Sequence, residues 1–304
     1  MIVIDQLTKT FGDTTVVNNL SFTVKPGDVV GFLGPNGAGK STTMKMITGF
    51  LQPTHGSVQV CNLNIEQDPL AIKQLIGYLP EGAPAYGDMT VAQFLDFIAD
   101  VRGLTGSLKI ARLQAVVQAI ELESVLYKAI DELSKGFKRR VGLAQAIIHD
   151  PDVLILDEPT DGLDPNQKHQ VRRLIENLSK DKMVIVSTHI LEEVTAVCNR
   201  AIIIANGTKL FDGTPVELLN RSKFHHAVTV EFDTVPASLD SLMGLAEVSG
   251  IEKVDSSVTV FAKDNSIIFN DVFNHIKQQQ WQVNGIYAEK GRMDDVFREM
   301  TEAR

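Results

Sequence analysis

The stretch GPNGAGKST, Gly34 to Thr42, leaves this chain few folds to choose from. It fits the spacing G-x-x-x-x-G-K-[ST] and follows an apolar, strand-like run, VVGFL. A helical pattern comes after it. Glycines at 34, 37 and 39 let the backbone bend so that successive N–H groups point at phosphate oxygens. Lys40 is then placed to reach β- and γ-phosphates, and the Ser41 hydroxyl to ligate Mg²⁺. The positive end of the following helix adds to the field. A glycine-rich turn carrying an exposed lysine is the bland alternative, and the flanking strand and helix weigh against it. Gly34, Asn36, Gly37, Gly39, Lys40, Ser41 and Thr42 are therefore candidate nucleotide-binding residues.

A loop of this kind belongs to an α/β core, and the chain supplies one. VLILDEP and MVIVSTH are further near-continuous apolar runs, each followed by a helical stretch, which is the pattern of parallel strands buried on both faces. The amino-terminal portion reads instead as antiparallel strands, with turns at Gly12-Asp13 and Pro26-Gly27. Between Thr90 and Asp150 the pattern is helical, as an insertion in the α/β core. After Asn220 the order becomes β-α-β-β-α-β, which suggests a small ferredoxin-like α+β domain. The expected division is a cassette at 1–220, with a helical subdomain at about 90–150, and an accessory domain at 221–304. Trp281 reads as a core residue of the latter.

Composition narrows the function classes. A chain of 304 residues with 44% hydrophobic and 22% charged content suits a globular protein of two domains. A formal net charge of -9 weighs against general affinity for nucleic acid. It permits binding of a phosphorylated small molecule, which needs only local positive potential. Cys61 and Cys198 stand far apart in no zinc or redox spacing, as in a reduced, cytoplasmic protein. The amino terminus lacks signal-peptide character, and the apolar runs fall short of the roughly 18 residues of a membrane-spanning helix. Work at a membrane would need another chain.

VLILDEPTDGLDP, Val153 to Pro165, is the second anchor. A buried strand ending in Asp157 puts a carboxylate beside a metal, and Glu158 is available to polarise an attacking water. Alone, the pair could simply be strand-end acids capping the next helix. Together with the phosphate loop, the catalytic reading prevails.

At this point the residues resemble a known family, the ATP-binding subunits of ABC transporters, over most of residues 1–220. The resemblance implies further roles. Phe11 matches the aromatic that stacks on adenine, although a core phenylalanine is a competing reading. LSKGFKRR, Leu133 to Arg140, falls where the family signature lies, with Ser134 and Gly136 as its γ-phosphate contacts. Asp164 in DGLDP matches the D-loop acid, and His189 in VSTHILEE matches the switch histidine. ATP and Mg²⁺ are the implied cofactors, with Ser41, Asp157 and Glu81 on the metal and Glu158 and His189 as the catalytic pair.

Two departures stand out. The usual signature reads LSGGQ, whereas Lys135 and Phe137 replace a glycine and the glutamine here. Lys135 adds a cation facing an anionic ligand; Phe137 removes an amide. In IGYLPEGAPAYGDMTV, Glu81 stands where the family has the glutamine that touches Mg²⁺ and water. A carboxylate binds Mg²⁺ as well, but brings a charge. YLPE together with LSKG resembles the export-type members, as does the helical ending GRMDDVFREMT. Lys138, Arg139 and Arg140 begin the helix after the signature, where part of their charge reads as solvated surface.

The resemblance implies an ATPase that powers integral membrane permease subunits as an exporter. It would sit peripherally on the cytoplasmic face of the membrane. One chain carries a single set of motifs, so two cassettes, most simply a homodimer, form the working unit. No nucleic-acid partner is expected. Two other readings stay open: a soluble ABC ATPase acting on nucleic acid or ribosomes, and an ATP-gated scaffold that hardly hydrolyses. The first generally carries two cassettes or long insertions, which are absent here. Glu158 and His189 speak against the second, while Glu81 and Phe137 keep it alive.

Overall fold

Alternating apolar residues set the first sheet. Strands β1 (Ile2–Phe11) and β2 (Thr14–Val24) form a hairpin around Gly12-Asp13 and pair antiparallel. They bury Ile2, Ile4 and Leu7 from one strand, and Leu20, Phe22 and Val24 from the other. The structure is a computed structural model, and it describes residues 1–264 and 266–302.

The chain then runs through β3 (Val29–Leu33), α1 (Lys40–Ile47), β4 (His55–Val60), β5 (Leu63–Asn64), α2 (Pro69–Leu75) and β6 (Ile76–Leu79). Strands β4 and β5 complete the antiparallel sheet, in the order β2-β1-β4-β5. A helical stretch follows: α3 (Val91–Val101), α4 (Gly106–Ile120) and α5 (Lys135–Ile147). Helix α3 starts where it does because Thr90 and Gln93 form a reciprocal capping box, at 3.2 and 3.0 Å.

Next come β7 (Val153–Asp157), α6 (Pro165–Leu178), β8 (Met183–Thr188), α7 (Leu191–Val197), β9 (Arg200–Ala205) and β10 (Thr208–Gly213). The second sheet has the order β10-β9-β3-β8-β7-β6, parallel except for β10. Every residue of β3, β7 and β8 is buried, which explains why these strands are apolar without alternation. Met44, Met46 and Ile47 of α1 share one core with residues of both sheets. The parallel register brings the carboxyl ends of β3, β8, β7 and β6 side by side, pairing Leu33 with Thr188, Ser187 with Asp157, and Leu156 with Leu79.

The chain divides into two units, Met1–Gly213 and Thr214–Arg304. The division lies ahead of the boundary expected at 220, because helix α8 (Pro215–Leu219) belongs to the second unit. That unit continues with β11 (His225–Phe232), α9 (Asp240–Met243), β12 (Val248–Val254), β13 (Ser257–Ala262), α10 (Phe269–Gln278), β14 (Val283–Lys290) and α11 (Met293–Glu302). Its sheet order, β12-β13-β11-β14 and antiparallel throughout, is the ferredoxin-like arrangement. The stretch ASLDSLMGLAEV, Ala237 to Val248, predicts a helix along its length, whereas α9 is four residues long. Leu242, Leu245 and Val248 all turn into the same core, so the chain enters β12 after one turn. Trp281 packs edge-on against buried Phe232 at 5.8 Å, in the core role expected of it.

Candidate functional site

The loop from Gly34 to Lys40 joins the buried end of β3 to α1. Gly37 (φ 81°) and Gly39 (φ 99°) occupy the left-handed region. Gly34 is required for another reason: a Cβ there would lie 2.5 Å from the carbonyl oxygen of Ile204. Pro35, Asn36 and Gly37 form the exposed tip, while Gly39 and Lys40 are buried; Ser41 and Thr42 are half-buried on the first turn of α1. The Lys40 ammonium, 7% exposed, donates to the carbonyls of Gly34 at 2.7 Å and Pro35 at 3.2 Å. Burial pulls its pKa below the ordinary lysine value, against the opposing pull of Glu158, Asp157 and Glu81. The loop ammonium and the three expected acids therefore share one electrostatic environment.

At the end of β7, Asp157 is 1% exposed. Its Oδ1 accepts a hydrogen bond from the Ser187 hydroxyl, and its Oδ2 is buried with no partner among the described residues. Glu158, with φ 50°, turns out of the strand line, and its N–H donates to the Ser187 carbonyl at 3.1 Å. Its carboxylate holds His189 Nδ1 at 3.0 Å through both oxygens. Burial raises the pKa of Glu158, while His189 and Lys40 oppose the rise. The Glu158 side chain is 15% exposed and the imidazole 54%, so this pair faces outward from the sheet's carboxyl edge.

Oxygen donors dominate here, which is the chemistry Mg²⁺ prefers. The Oδ2 of Asp157 is an unpartnered acceptor, Ser41 carries a half-buried hydroxyl, and Glu81 an exposed carboxylate. Among the described residues no cluster of three or more His, Cys, Asp or Glu could cage a metal. A buried carboxylate with one unpartnered oxygen suits an ion that keeps water and substrate oxygens in its shell.

Ser134, Gly136 and Asp164 form a second group, at the neighbouring N-termini of α5 and α6. Ser134 caps α5, accepting from the Phe137 N–H at 3.4 Å. Asp164 caps α6, accepting from the Gln167 N–H at 2.9 Å. A Cβ at Gly136 would lie 2.5 Å from Gln167 Oε1, so the first turns of the two helices lie side by side, with the flexible Gln167 side chain between them. Phe137 is half-buried beneath the Arg140 guanidinium, 5.5 Å from the ring centroid. Arg139 and Arg140 are 6% and 9% exposed, which corrects the expectation of solvated charge for these two. Arg140 reaches the Ile120 carbonyl, Glu121 and Gln170, and Arg139 turns toward the ends of β6 and β7. Lys138 stays nearer the surface, 3.4 Å from Asp131.

Phe11 is 49% exposed, so the competing reading as a core residue does not hold. Its ring carries the Lys9 ammonium at 5.1 Å. It pairs with Thr14 at the hairpin end, and the nearby Val16 carbonyl abuts Gly39, where a Cβ would lie 2.7 Å away. Strand β2 thus runs from the partner of Phe11 to a segment that abuts the loop at Gly39.

Two further residues escaped sequence reasoning. Ser187 bridges Asp157 and Glu158, visible in sequence only as the Ser of VSTH. Glu193, 4% exposed, accepts from Thr160 on one oxygen and from Thr188 at 2.9 Å on the other. It ties the segment after Glu158 to the residue before His189. In sequence it is just one of two adjacent glutamates.

Residues 17–161 match the family described as ABC transporter. A protein named Nod factor export ATP-binding protein I, from Burkholderia lata, is 38% identical over 247 residues, covering 80% of this chain and 81% of the relative. The "Probable multidrug ABC transporter ATP-binding protein YbhF" of Escherichia coli is 38% identical over 218 residues, covering 71% of this chain and 38% of that protein. Among solved structures, an ATP binding subunit of an ABC transporter superposes with a TM-score of 0.68 at 28% identity, covering 73% of this chain and 92% of that one. A dimeric bacterial ABC transporter cassette superposes with a TM-score of 0.66 at 24% identity, covering 71% and 99%, a likeness of fold.

Proposed function

This chain belongs to the ABC transporter family, and on that premise we propose that it is the ATP-binding and ATP-hydrolysing subunit that powers an integral membrane permease in export. The observation that carries the reading is the meeting, at one sheet edge, of a phosphate-loop ammonium with a strand-end acid pair and a histidine. The direction of transport rests on relatives whose names describe export and multidrug transport.

In this reading the loop N–H groups and Lys40 receive the β- and γ-phosphates, with Asn36 at the exposed tip and Thr42 on the first turn of α1. Lys40 exchanges its two carbonyl acceptors for phosphate oxygens, and Phe11 stacks on the adenine. Ser41, Asp157 and Glu81 would hold Mg²⁺, which offsets negative charge on the phosphates when bound. Ser187 fixes one oxygen of Asp157 and leaves the other for that task. Glu158 accepts the proton of the attacking water; its burial makes it a stronger base than a solvated carboxylate. His189, held by Glu158, presents a half-exposed imidazole to the γ-phosphate.

Ser134, Gly136 and Asp164 stand at paired helix N-termini, which favour anions. They are assigned to the ATP held by a second copy of the chain, so that the working unit is a homodimer. The surface around Glu81 and the helical segment from Thr90 receives the permease, and the chain sits peripherally at the cytoplasmic face of the membrane. Among the described residues no helix is long and apolar enough to cross a membrane, so a spanning helix would come from the partner.

Purification of the full chain from native membranes tests this. An integral membrane protein with several apolar spans is expected to accompany it. Consistent recovery with nucleic acid instead would contradict the proposal.

A further inference from the structure

Arg139 is a buried cation that the mechanism above does not use. It lies on α5, the helix that Ser134 caps, and is 6% exposed. Its Nη2 donates to the carbonyl of Asp157 at 2.7 Å and to that of Glu158, and its Nη1 donates to the carbonyl of Pro80 at 3.3 Å. All three acceptors are backbone oxygens. They belong to the end of β7 and to the residue that follows β6, immediately before Glu81. Burial lowers the pKa of the guanidinium, and the nearby acids, Asp161 ahead of Asp157, Glu158 and Glu81, oppose that.

A guanidinium at such a place is a fixed object: planar, always charged, and able to hold several acceptors in one geometry. What it holds is a backbone in an unusual conformation. Glu158 has φ 50°, which a residue with a side chain adopts at some cost and which its surroundings must maintain. Its N–H is tied to the Ser187 carbonyl at 3.1 Å, and its own carbonyl is tied to Arg139. These two ties fix the peptide units on both sides of the Cα. From this fixed Cα the carboxylate reaches His189, with both oxygens 3.0 Å from Nδ1, and small errors in its placement are costly for general-base chemistry.

We propose that Arg139 is a positioning residue for hydrolysis, clamping the carbonyls of Pro80, Asp157 and Glu158 so that the Glu158 carboxylate is aimed. The assignment rests on the ATPase reading above. It also gives α5 two tasks, since its first turn carries the signature and its second turn holds this chain's own hydrolytic carboxylate.

The test is ATP hydrolysis by the full chain and its variants, with thermal melting as a check on folding. Arg139→Gln is expected to lower kcat about 10- to 100-fold while KM stays within about twofold. Arg139→Lys, which keeps the charge but lacks the rigid planar fork of the guanidinium, should fall between parent and Arg139→Gln. In a Glu158→Gln background, Arg139→Gln should change the residual single-turnover rate by less than about twofold, because its effect acts through Glu158. An unchanged kcat, a KM that rises in step with the loss, or a full multiplicative loss in the double variant would overturn the assignment. If Arg139→Gln does not fold, Arg139→Lys carries the same two readings, with a kcat loss of at least about threefold expected. Absence of hydrolysis in the parent is a separate result: it overturns the ATPase reading, and this assignment with it.

Discussion

At the scale of single residues, His149 shows how burial becomes a pH dependence. It sits between α5 and β7, with its ring bonded to the Ile76 carbonyl at 3.3 Å and its Nδ1 buried without a partner among the described residues. Burial first, then Arg102, Arg112 and Lys182, lower its pKa from 6.5 to about 4. The folded protein therefore binds this proton later than the unfolded chain does. The associated stability is fully present above pH 6.5 and is lost as pH falls toward 4. Equilibrium denaturation at pH 7 and pH 5 should differ by roughly 1–2 kcal/mol from this group. His149→Gln should remove that part of the difference; an unaltered pH dependence would show that His149 is not its source. Phe137 is a second residue whose meaning depends on surroundings. As a replacement for a signature glutamine it has no evident chemistry. In the fold it lies under Arg140, which also reaches Glu121 and Gln170 from α5. The burial of Arg139 and Arg140 was hidden for the same reason: a basic run reads as surface until the carbonyls it meets, far away in sequence, are known.

At the scale of elements, the apolar runs of β3, β7 and β8 announce a parallel sheet directly, because strands covered on both faces need no polar alternation. The glycines that make packing possible are harder to read. Gly77 in β6 is an example: a Cβ there would lie 2.0 Å from the Ala146 carbonyl oxygen of α5. Helix and strand touch backbone to backbone, with no flexible side chain to yield. Gly77→Ala is expected to destabilise the protein by about 1–3 kcal/mol, read as a lower denaturation midpoint. A midpoint equal to the parent's would mean that α5 can shift freely. The conformation of the 34–42 loop was legible for the opposite reason, since Gly37 and Gly39 bend the backbone locally between β3 and α1. Ser187 and Glu193 were not legible, because each gains its place only when β8 and α7 come beside β7. Helix α9 was overestimated since its apolar spacing suits one turn followed by a strand as well as it suits a longer helix.

At the scale of the whole molecule, the geometry leaves a division of labour within the first unit. Lys40, Asp157, Glu158 and His189 share one sheet edge, while Ser134, Gly136 and Asp164 gather at adjoining helix ends. If each ATP lies between the first group of one copy and the second group of another, two chains must close around two nucleotides, and hydrolysis must open them. Slowing hydrolysis without harming binding should hold the closed state. Glu158→Gln is the variant to use, since it removes the carboxylate proposed as the base and keeps the side chain's shape. The most direct measurement is the solution mass of the Glu158→Gln chain by light scattering, with ATP and Mg²⁺ and without them. The single-chain mass is expected without nucleotide, and twice that mass with it. A chain that binds ATP and keeps the single-chain mass would contradict the composite site on which the proposed mechanism stands.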